Sequence, residues 1–241
     1  MHYVIGDVHG HCSTLKALAE KLPHDARLIF VGDLIDRGMQ SAEVVRFVRQ
    51  NGHRCVMGNH ETLMVTYGGE FITACRKGQP LSQYNLWYAN GGINTLLSYG
   101  VAVVQEGRLE KAAGSGRALE RLEDDLRWMQ RLPLYIELDI AHVSAKPAVV
   151  SHAPLASVWK LRHDEAHFET FSRTATTNRR NPDEAAEIFN IFGHTPVQGG
   201  ADVQPHYVNI DTGCYKDQEG YHRLSAYCVE SGAVVSVECR G

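Results

Sequence analysis

The stretch "VGDLIDRG" (31–38) ends an apolar run, "RLIFV" (27–31), and then sets Asp33, Asp36 and Arg37 within five residues. Such a run reads as a buried strand, where charges are out of place. Just beyond it lies the carboxyl end of that strand, and the flanking sequence repeats the arrangement. "HYVI" (2–5) precedes Gly6-Asp7, and "HRCVMG" (53–58) precedes Asn59. Two amphipathic stretches separate the runs. In "STLKALAEKL" (13–22), Leu15, Leu18 and Leu22 share a helical face, with Ser13 as predicted N-cap. In "SAEVVRFVRQ" (41–50), Val44, Val45 and Val48 do the same, with Ser41 as cap. Residues 1–60 therefore read β-α-β-α-β, a parallel sheet with right-handed crossovers.

Parallel strands share one carboxyl edge, where ligands bind. Asp7, Asp33 and Asn59 stand at that edge at intervals of 26 residues, so three oxygen donors converge. Asp7 and His9 are two apart; in an extended segment such residues point the same way and grip one ion together. Asp33 is placed to bridge to a second ion, and Asn59 adds an amide oxygen. His152 and His194 close the apolar runs "AVVSH" (148–152) and "EIFNIFGH" (187–194). Mixed nitrogen and oxygen donors suit Mn²⁺, Fe or Zn²⁺ better than Ca²⁺ or Cu(I). A shared carboxylate implies two ions about 3.5–4 Å apart, the geometry of two-metal phosphoester hydrolysis. Singly, each residue has an ordinary explanation: Asp33 a turn residue, Asn59 a helix N-cap, the two histidines loop residues. Together they form a six-member donor set at successive strand ends, which those explanations do not cover.

The rest of the chain bounds the reading. At 241 residues, 44% hydrophobic and 22% charged, it has the size and composition of one globular domain, 1–241. A formal net charge of −4 without a long basic run disfavours nucleic-acid and membrane partners. "MHYVIGDVHG" has neither a basic n-region nor a long apolar core, and no window is apolar enough to span a bilayer; a cytoplasmic location is expected. Six scattered cysteines without a C-x-x-C read as reduced thiols, mostly in the core. His11 and His206 receive no role. Residues 61–135 read as a mainly helical insertion, in which Leu119, Leu122, Leu126 and Met129 share a face. There, "NGGINTLLSYG" (90–100) reads as a tight packed turn, and 106–120 as the least structured stretch. From about 134 onward strands are predicted, including "HYVNIDTG" (206–213), "HRLSAYCVE" (222–230) and "AVVSVE" (233–238). A short helix is predicted to open at Asn181-Pro182.

"GDVHG" (6–10), "GDLIDRG" (32–38) and "GNHE" (58–61) resemble, in order, the three signature blocks of the PPP-type phosphoprotein phosphatases, within the calcineurin-like metallophosphoesterases. "SHA" (151–153), "GHTP" (193–196) and "DTGCY" (211–215) resemble that family's later blocks. The likeness spans about residues 1–213, and the length fits the short bacterial and phage members. It implies an α/β fold, a β-sandwich of two mixed sheets flanked by helices, with two divalent metals, Mn²⁺ foremost, at one edge. It assigns Asp7 and His9 to the first metal, Asp33 to both, and Asn59, His152 and His194 to the second. It gives catalytic roles to His60 as general acid, Asp36 as its orienting carboxylate and Arg37 as a phosphate fork. Phosphate contacts are implied for Arg37, Asn59, His60 and a second arginine between the late histidines. That last position departs from the family pattern: "ETFSRTATTNRRN" (169–181) offers Arg173 and Arg179. Arg173 is favoured because Phe171 fits the family's aromatic position, and Arg162 is a third option. Asp211 and Thr212 read as structural, and Tyr215 as a residue that either approaches the site or packs elsewhere.

The activity so implied is that of a serine/threonine protein phosphatase, hydrolysing phosphomonoesters of a protein or peptide by direct attack of a metal-bridging hydroxide. The alternative is a symmetrical diadenosine tetraphosphatase. Those relatives tend to show "GNHD", so Glu61 and the Asp36-Arg37-Gly38 form favour the monoesterase. Phosphodiesterases of the superfamily usually carry "GHxH" where this chain has "GHTP". A non-catalytic module that had kept the fold would have lost some of these ligands, and all six are present with His60.

Overall fold

The computed structural model describes residues 1–140 and 142–240. Its first half follows the predicted alternation: β1 (His2–Ile5), α1 (Cys12–Ala19), β2 (Arg27–Phe30), α2 (Ser41–Gln50) and β3 (Arg54–Cys55). β1, β2 and β3 pair in parallel. The predicted caps fall differently. α1 begins one residue before Ser13, whose N–H and hydroxyl both donate to Gln40 Oε1. Ser41 is the first helical residue of α2, and its hydroxyl accepts from the Asp36 N–H instead of capping.

The segment 61–135 lies among α3 (Asn59–Lys77), α4 (Leu86–Ala89), α5 (Gly92–Tyr99), β4 (Ala102–Gln105), β5 (Arg108–Lys111) and α6 (Gly116–Met129). Residues 90–100 are not a turn but mainly α5, bracketed by Gly91 and Gly100 in the left-handed region. Residues 106–120 are ordered as β5 and the start of α6. Glu106 and Gly107, at φ 49° and 76°, form the two-residue reversal that pairs β5 with β4. The charged, exposed "RLEK" of β5 hides its strand character in the sequence. Leu119, Leu122, Leu126 and Met129 of α6 are buried together, as their spacing predicts.

The second half comprises β6 (Tyr135–Leu138), β7 (Ala148–Ser151), two 3₁₀ turns, α7 (Phe168–Thr177), β8 (Phe189–Phe192), β9 (Asp202–Gln204), β10 (Tyr207–Asn209), β11 (Arg223–Cys228) and β12 (Val234–Glu238). No helix forms at Asn181-Pro182: the Asp183 side chain takes the Ala185 N–H and makes a local turn. α7, which periodicity did not single out, buries Phe171 and Ala175.

Two five-stranded mixed sheets result, ordered β12-β11-β1-β2-β3 and β6-β7-β8-β10-β9. β11 and β12 add to the parallel core in antiparallel fashion. The parallel reading of residues 1–60 thus describes only part of one sheet. Val4, Ile29, Val31 and Val56 of the first sheet side pack against Val150, Phe189, Ile191 and Val208 of the second. Alternate residues Tyr3, Ile5, Leu28 and Phe30 face the other way, into a core with α1, α2, α3, α5 and α6. α7 and the 3₁₀ turns cover the outer face of the second sheet around Val149. Each fully buried aliphatic side chain contributes about 1.5–3 kcal/mol, enough to hold the strand ends in place. The six cysteines are free thiols, five of them buried. No helix among the described residues is long and apolar enough to cross a membrane.

Candidate active site

The loops after β1 and β2 are laced together at the sheet edge. The Val8 and His9 N–H groups donate to Asp33 O, and the Gly10 N–H donates to Leu34 O. Eight described non-glycine residues have positive φ, and five of them are His9, Asp33, Asp36, Arg37 and His194. Strain of this kind persists where surrounding structure holds it, and it gathers at functional sites. It also corrects the expectation that Asp7 and His9 share an extended segment. β1 ends at Ile5 and His9 has φ 45°, so a turn brings the pair together. Gly193 is required beside it, because a Cβ there would strike the Asp7 carboxylate.

One donor cluster forms where β2, β7 and β8 end and α3 begins. His152 Nε2 lies 2.8 Å from Asn59 Oδ1, 3.1 Å from His194 Nδ1 and 3.5 Å from Asp33 Oδ1. His194 Nδ1 lies 2.9 Å from Asn59 Oδ1. These are the separations of donors that share an ion at about 2.1 Å. His152 Nδ1 donates to Val31 O, which leaves Nε2 unprotonated. Burial lowers the pKa of His152; burial, with His152 alongside, pushes His194 down to about 3. His152 Nε2 thus turns its lone pair toward Asn59 Oδ1 and His194 Nδ1, a convergence of nitrogen and oxygen donors that suits a cation.

A second cluster adjoins it through Asp33. His9 Nδ1 donates to Ile35 O, and its Nε2 lies 3.5 Å from Asp33 Oδ2. Asp7, Asp33 and His152 place donor atoms within 4.8 Å of one another, as do His9, Asp33 and His60. Burial, then the charges of Asp211 and Asp33, push the Asp7 carboxyl well up. Burial acts on Asp33 too, but the imidazoles around it and the His60 N–H together draw its carboxyl down. Asp211, read as structural from the sequence, stands close enough for its charge to bear on Asp7, and its buried Oδ2 has no partner. Concentrated carboxylate with orphaned oxygen fits divalent cations.

Beside these clusters His60 Nδ1 lies 2.7 Å from Asp36 Oδ2, both side chains buried. Burial opposes protonation of His60, yet the charge of Asp33 and the bond to Asp36 raise its pKa overall. Asp36 Oδ1 accepts from Trp87 Nε1 at 3.0 Å and from Thr95 Oγ1 at 2.6 Å. Sequence reading missed Trp87 and Thr95, which lie 51 and 59 residues from Asp36 and show no motif of their own. Arg37 Nη2 lies 3.2 Å from His60 Nε2, and its guanidinium stacks 3.7 Å over the Tyr215 ring. Tyr215 also meets the His9 ring edge-on at 4.8 Å, which places it at the site.

Arg179 lies near enough for its charge to bear on His194, whereas Arg173 sits exposed within α7. Arg162 pairs instead with Trp159 and Glu137. Glu61 accepts from the N–H groups of Asp33, Leu34 and Gly58. It therefore shapes the ligand loop.

The fold and the clusters together define a metallophosphoesterase. A family model for calcineurin-like phosphoesterases matches residues 3–198, and the chain belongs to that family. A symmetrical bis(5'-nucleosyl)-tetraphosphatase of Coxiella burnetii is 30% identical over 206 residues. That match covers 84% of this chain but 57% of the relative, so the chain spans little more than half the length of the Coxiella proteins. Serine/threonine-protein phosphatase 1 of Salmonella typhimurium is 31% identical over 215 residues, covering 88% of this chain and 85% of that protein. A solved structure provisionally named a diadenosine tetraphosphatase superposes with a TM-score of 0.60 at 20% identity, over 100% of this chain and 94% of the other. That likeness is one of fold.

Proposed function

We propose that the chain is a metal-dependent serine/threonine protein phosphatase. Asp7, His9 and Asp33 would hold one divalent ion, and Asp33, Asn59, His152 and His194 a second. Mn²⁺ suits the donors, which Fe and Zn²⁺ share. When bound, the ions supply Lewis-acid stabilisation of phosphoryl charge and acidify a water at neutral pH. The protein's own groups do the rest. His60, with Nδ1–H held on Asp36, presents Nε2 at the cluster and, protonated there, gives its proton to the leaving alkoxide. Arg37 rests on His60 Nε2 without substrate; phosphoryl oxygens would draw its guanidinium into a bidentate contact, supported by Tyr215. Asn59 and His60 line the same phosphoryl site, and Arg179 is the better placed second clamp than Arg173.

The observation that carries this reading is the Asp36–His60–Arg37 group set against the ligand clusters: one proton donor and one phosphate fork for one phosphoryl group. The match to the Salmonella phosphatase runs nearly end to end and supports the same choice. A second reading, symmetrical hydrolysis of a dinucleoside tetraphosphate, is favoured by the Coxiella relatives. The test mixes Mn²⁺-loaded protein with equal concentrations of a phosphoserine peptide and diadenosine tetraphosphate, following both products by mass. A much higher kcat/KM on the peptide is expected. Faster cleavage of the dinucleotide would leave the metal ligands standing and overturn the substrate assignment.

A further inference from the structure

Three groups of His, Cys, Asp or Glu in the described residues bring donor atoms within 4.8 Å of one another. Two belong to the site above. The third is His11, Cys214 and Cys239, residues that sequence reading left as a histidine without a role and two core thiols. Cys214 Sγ and Cys239 Sγ are 3.5 Å apart. Two thiolates on one Zn²⁺, each about 2.3 Å from it, stand roughly 3.8 Å apart in tetrahedral geometry. His11 Nδ1 lies 3.1 Å from Val8 O. That backbone bond fixes the tautomer and leaves Nε2 as the ligating nitrogen, the usual outer support of a metal-binding imidazole.

The three side chains come from separate parts of the fold, and each is held. His11 immediately precedes α1, and the Leu15 N–H donates to its carbonyl. Cys214 is buried in the loop after β10. Cys239 follows β12; its N–H donates to His222 O, and the next residue's N–H donates to Thr14 Oγ1 at 2.8 Å. Thr14 Oγ1 also lies 3.5 Å from Cys239 Sγ. Two sulfurs and an imidazole are a soft set, unlike the carboxylate-rich clusters nearby, and suit Zn²⁺ rather than Mn²⁺.

We propose that His11, Cys214 and Cys239 bind a third metal ion, a soft divalent cation of the Zn²⁺ type, with a fourth position open to water. The ion displaces the thiol protons of the pair as it binds. The ion joins the segment after β12 to the loop whose next residue, Tyr215, supports Arg37.

The test titrates the full, reduced, chelator-stripped chain with Co²⁺ and follows thiolate-to-cobalt charge-transfer absorption in the near ultraviolet. Imidazole and carboxylate ligands give only weak d–d bands, so the strong band reports the cysteines alone. The band is expected to saturate at one Co²⁺ bound to the thiols, whatever the other site takes up. It should persist in Asp33→Asn, vanish in Cys214→Ser and Cys239→Ser, and need about tenfold more Co²⁺ in His11→Ala. Zn²⁺ should remove it and Mn²⁺ should not. The d–d bands of the other site, retained in the serine variants, verify that those variants fold. Absence of the strong band from the wild-type chain, or its survival in Cys239→Ser, overturns the proposal. So does loss of both thiols to oxidised glutathione in a chain that never shows the band, an outcome that makes the pair a redox couple instead.

Discussion

Asp36 Oδ2 and His60 Nδ1 are 2.7 Å apart in a pocket where neither side chain meets solvent. The carboxylate raises the pKa of the ring and fixes which nitrogen carries the inward proton. In the proposed reaction His60 acts as an acid while protonated, so activity is expected to fall as pH rises through its folded pKa. Asp36→Asn removes a group that raises that pKa, so the alkaline limb of the kcat/KM profile is expected at lower pH. A loss of about 10²–10⁴ in kcat/KM should accompany it. The loss should be smaller with 4-nitrophenyl phosphate than with a phosphoserine peptide, because a phenolate needs less protonation. Equal losses on both substrates would remove His60 from the acid role.

Thr95 donates to Asp36 Oδ1 at 2.6 Å from an element far from every motif. Thr95→Val preserves shape and leaves the buried oxygen short of a donor, at about 1–3 kcal/mol. We expect a lower Tm and a reduced kcat, with unchanged metal stoichiometry. A variant that lost metal while keeping kcat per bound ion would place Thr95 in ligand support instead.

Gly91 has φ 101°, and a Cβ there would sit 2.6 Å from the Arg37 backbone nitrogen. Gly91→Ala therefore combines left-handed strain with a backbone clash, about 1–3 kcal/mol. Its expected signature is a raised KM for phosphopeptide, since the loop it displaces carries Arg37, the proposed phosphate fork. Crystallography of the variant checks the shift directly, and an unmoved Arg37 would contradict it.

Asp7, Asp33 and Asp211 are buried carboxylates facing one another. Dialysis against a chelator should abolish activity and lower Tm, and Mn²⁺ at 100 times its Kd should restore about 2.7 kcal/mol of stability per site. Calorimetric scans with and without metal decide it; an unchanged Tm would mean that the clusters do not hold ions in the native state.

Glu230 clasps the start of β1. Both its oxygens accept from His2 N at 3.0 Å, and Oε1 lies 2.8 Å from His2 Nδ1. Burial opposes ionisation, but the bonds from His2 hold the carboxyl down to about 2, against 4.5 when unfolded. Its stabilisation is thus present above pH 4.5 and is lost as pH falls toward 2. The pair is partly exposed, so solvent screening limits the effect to about 1 kcal/mol. Glu230→Gln should lower Tm at neutral pH and flatten its decline over that acid range. Parallel Tm–pH curves for the two proteins would refute the assignment.

The alternation of strand and helix over residues 1–60 was legible because local period and sheet topology agree there, and it carried Asp7, Asp33 and Asn59 to one edge. The sequence by itself also singled out the six candidate donors, since they stand where apolar runs end. Tertiary structure alone decided the rest. Trp87 and Thr95 became partners of Asp36, Arg179 came to bear on His194, and Tyr215 came to lie under Arg37. His11 met Cys214 and Cys239 across most of the chain's length. The physical reason is the same in each case. Periodicity reports which face of an element is buried, whereas a hydrogen bond or a ligand contact depends on where two elements with no local coupling are packed.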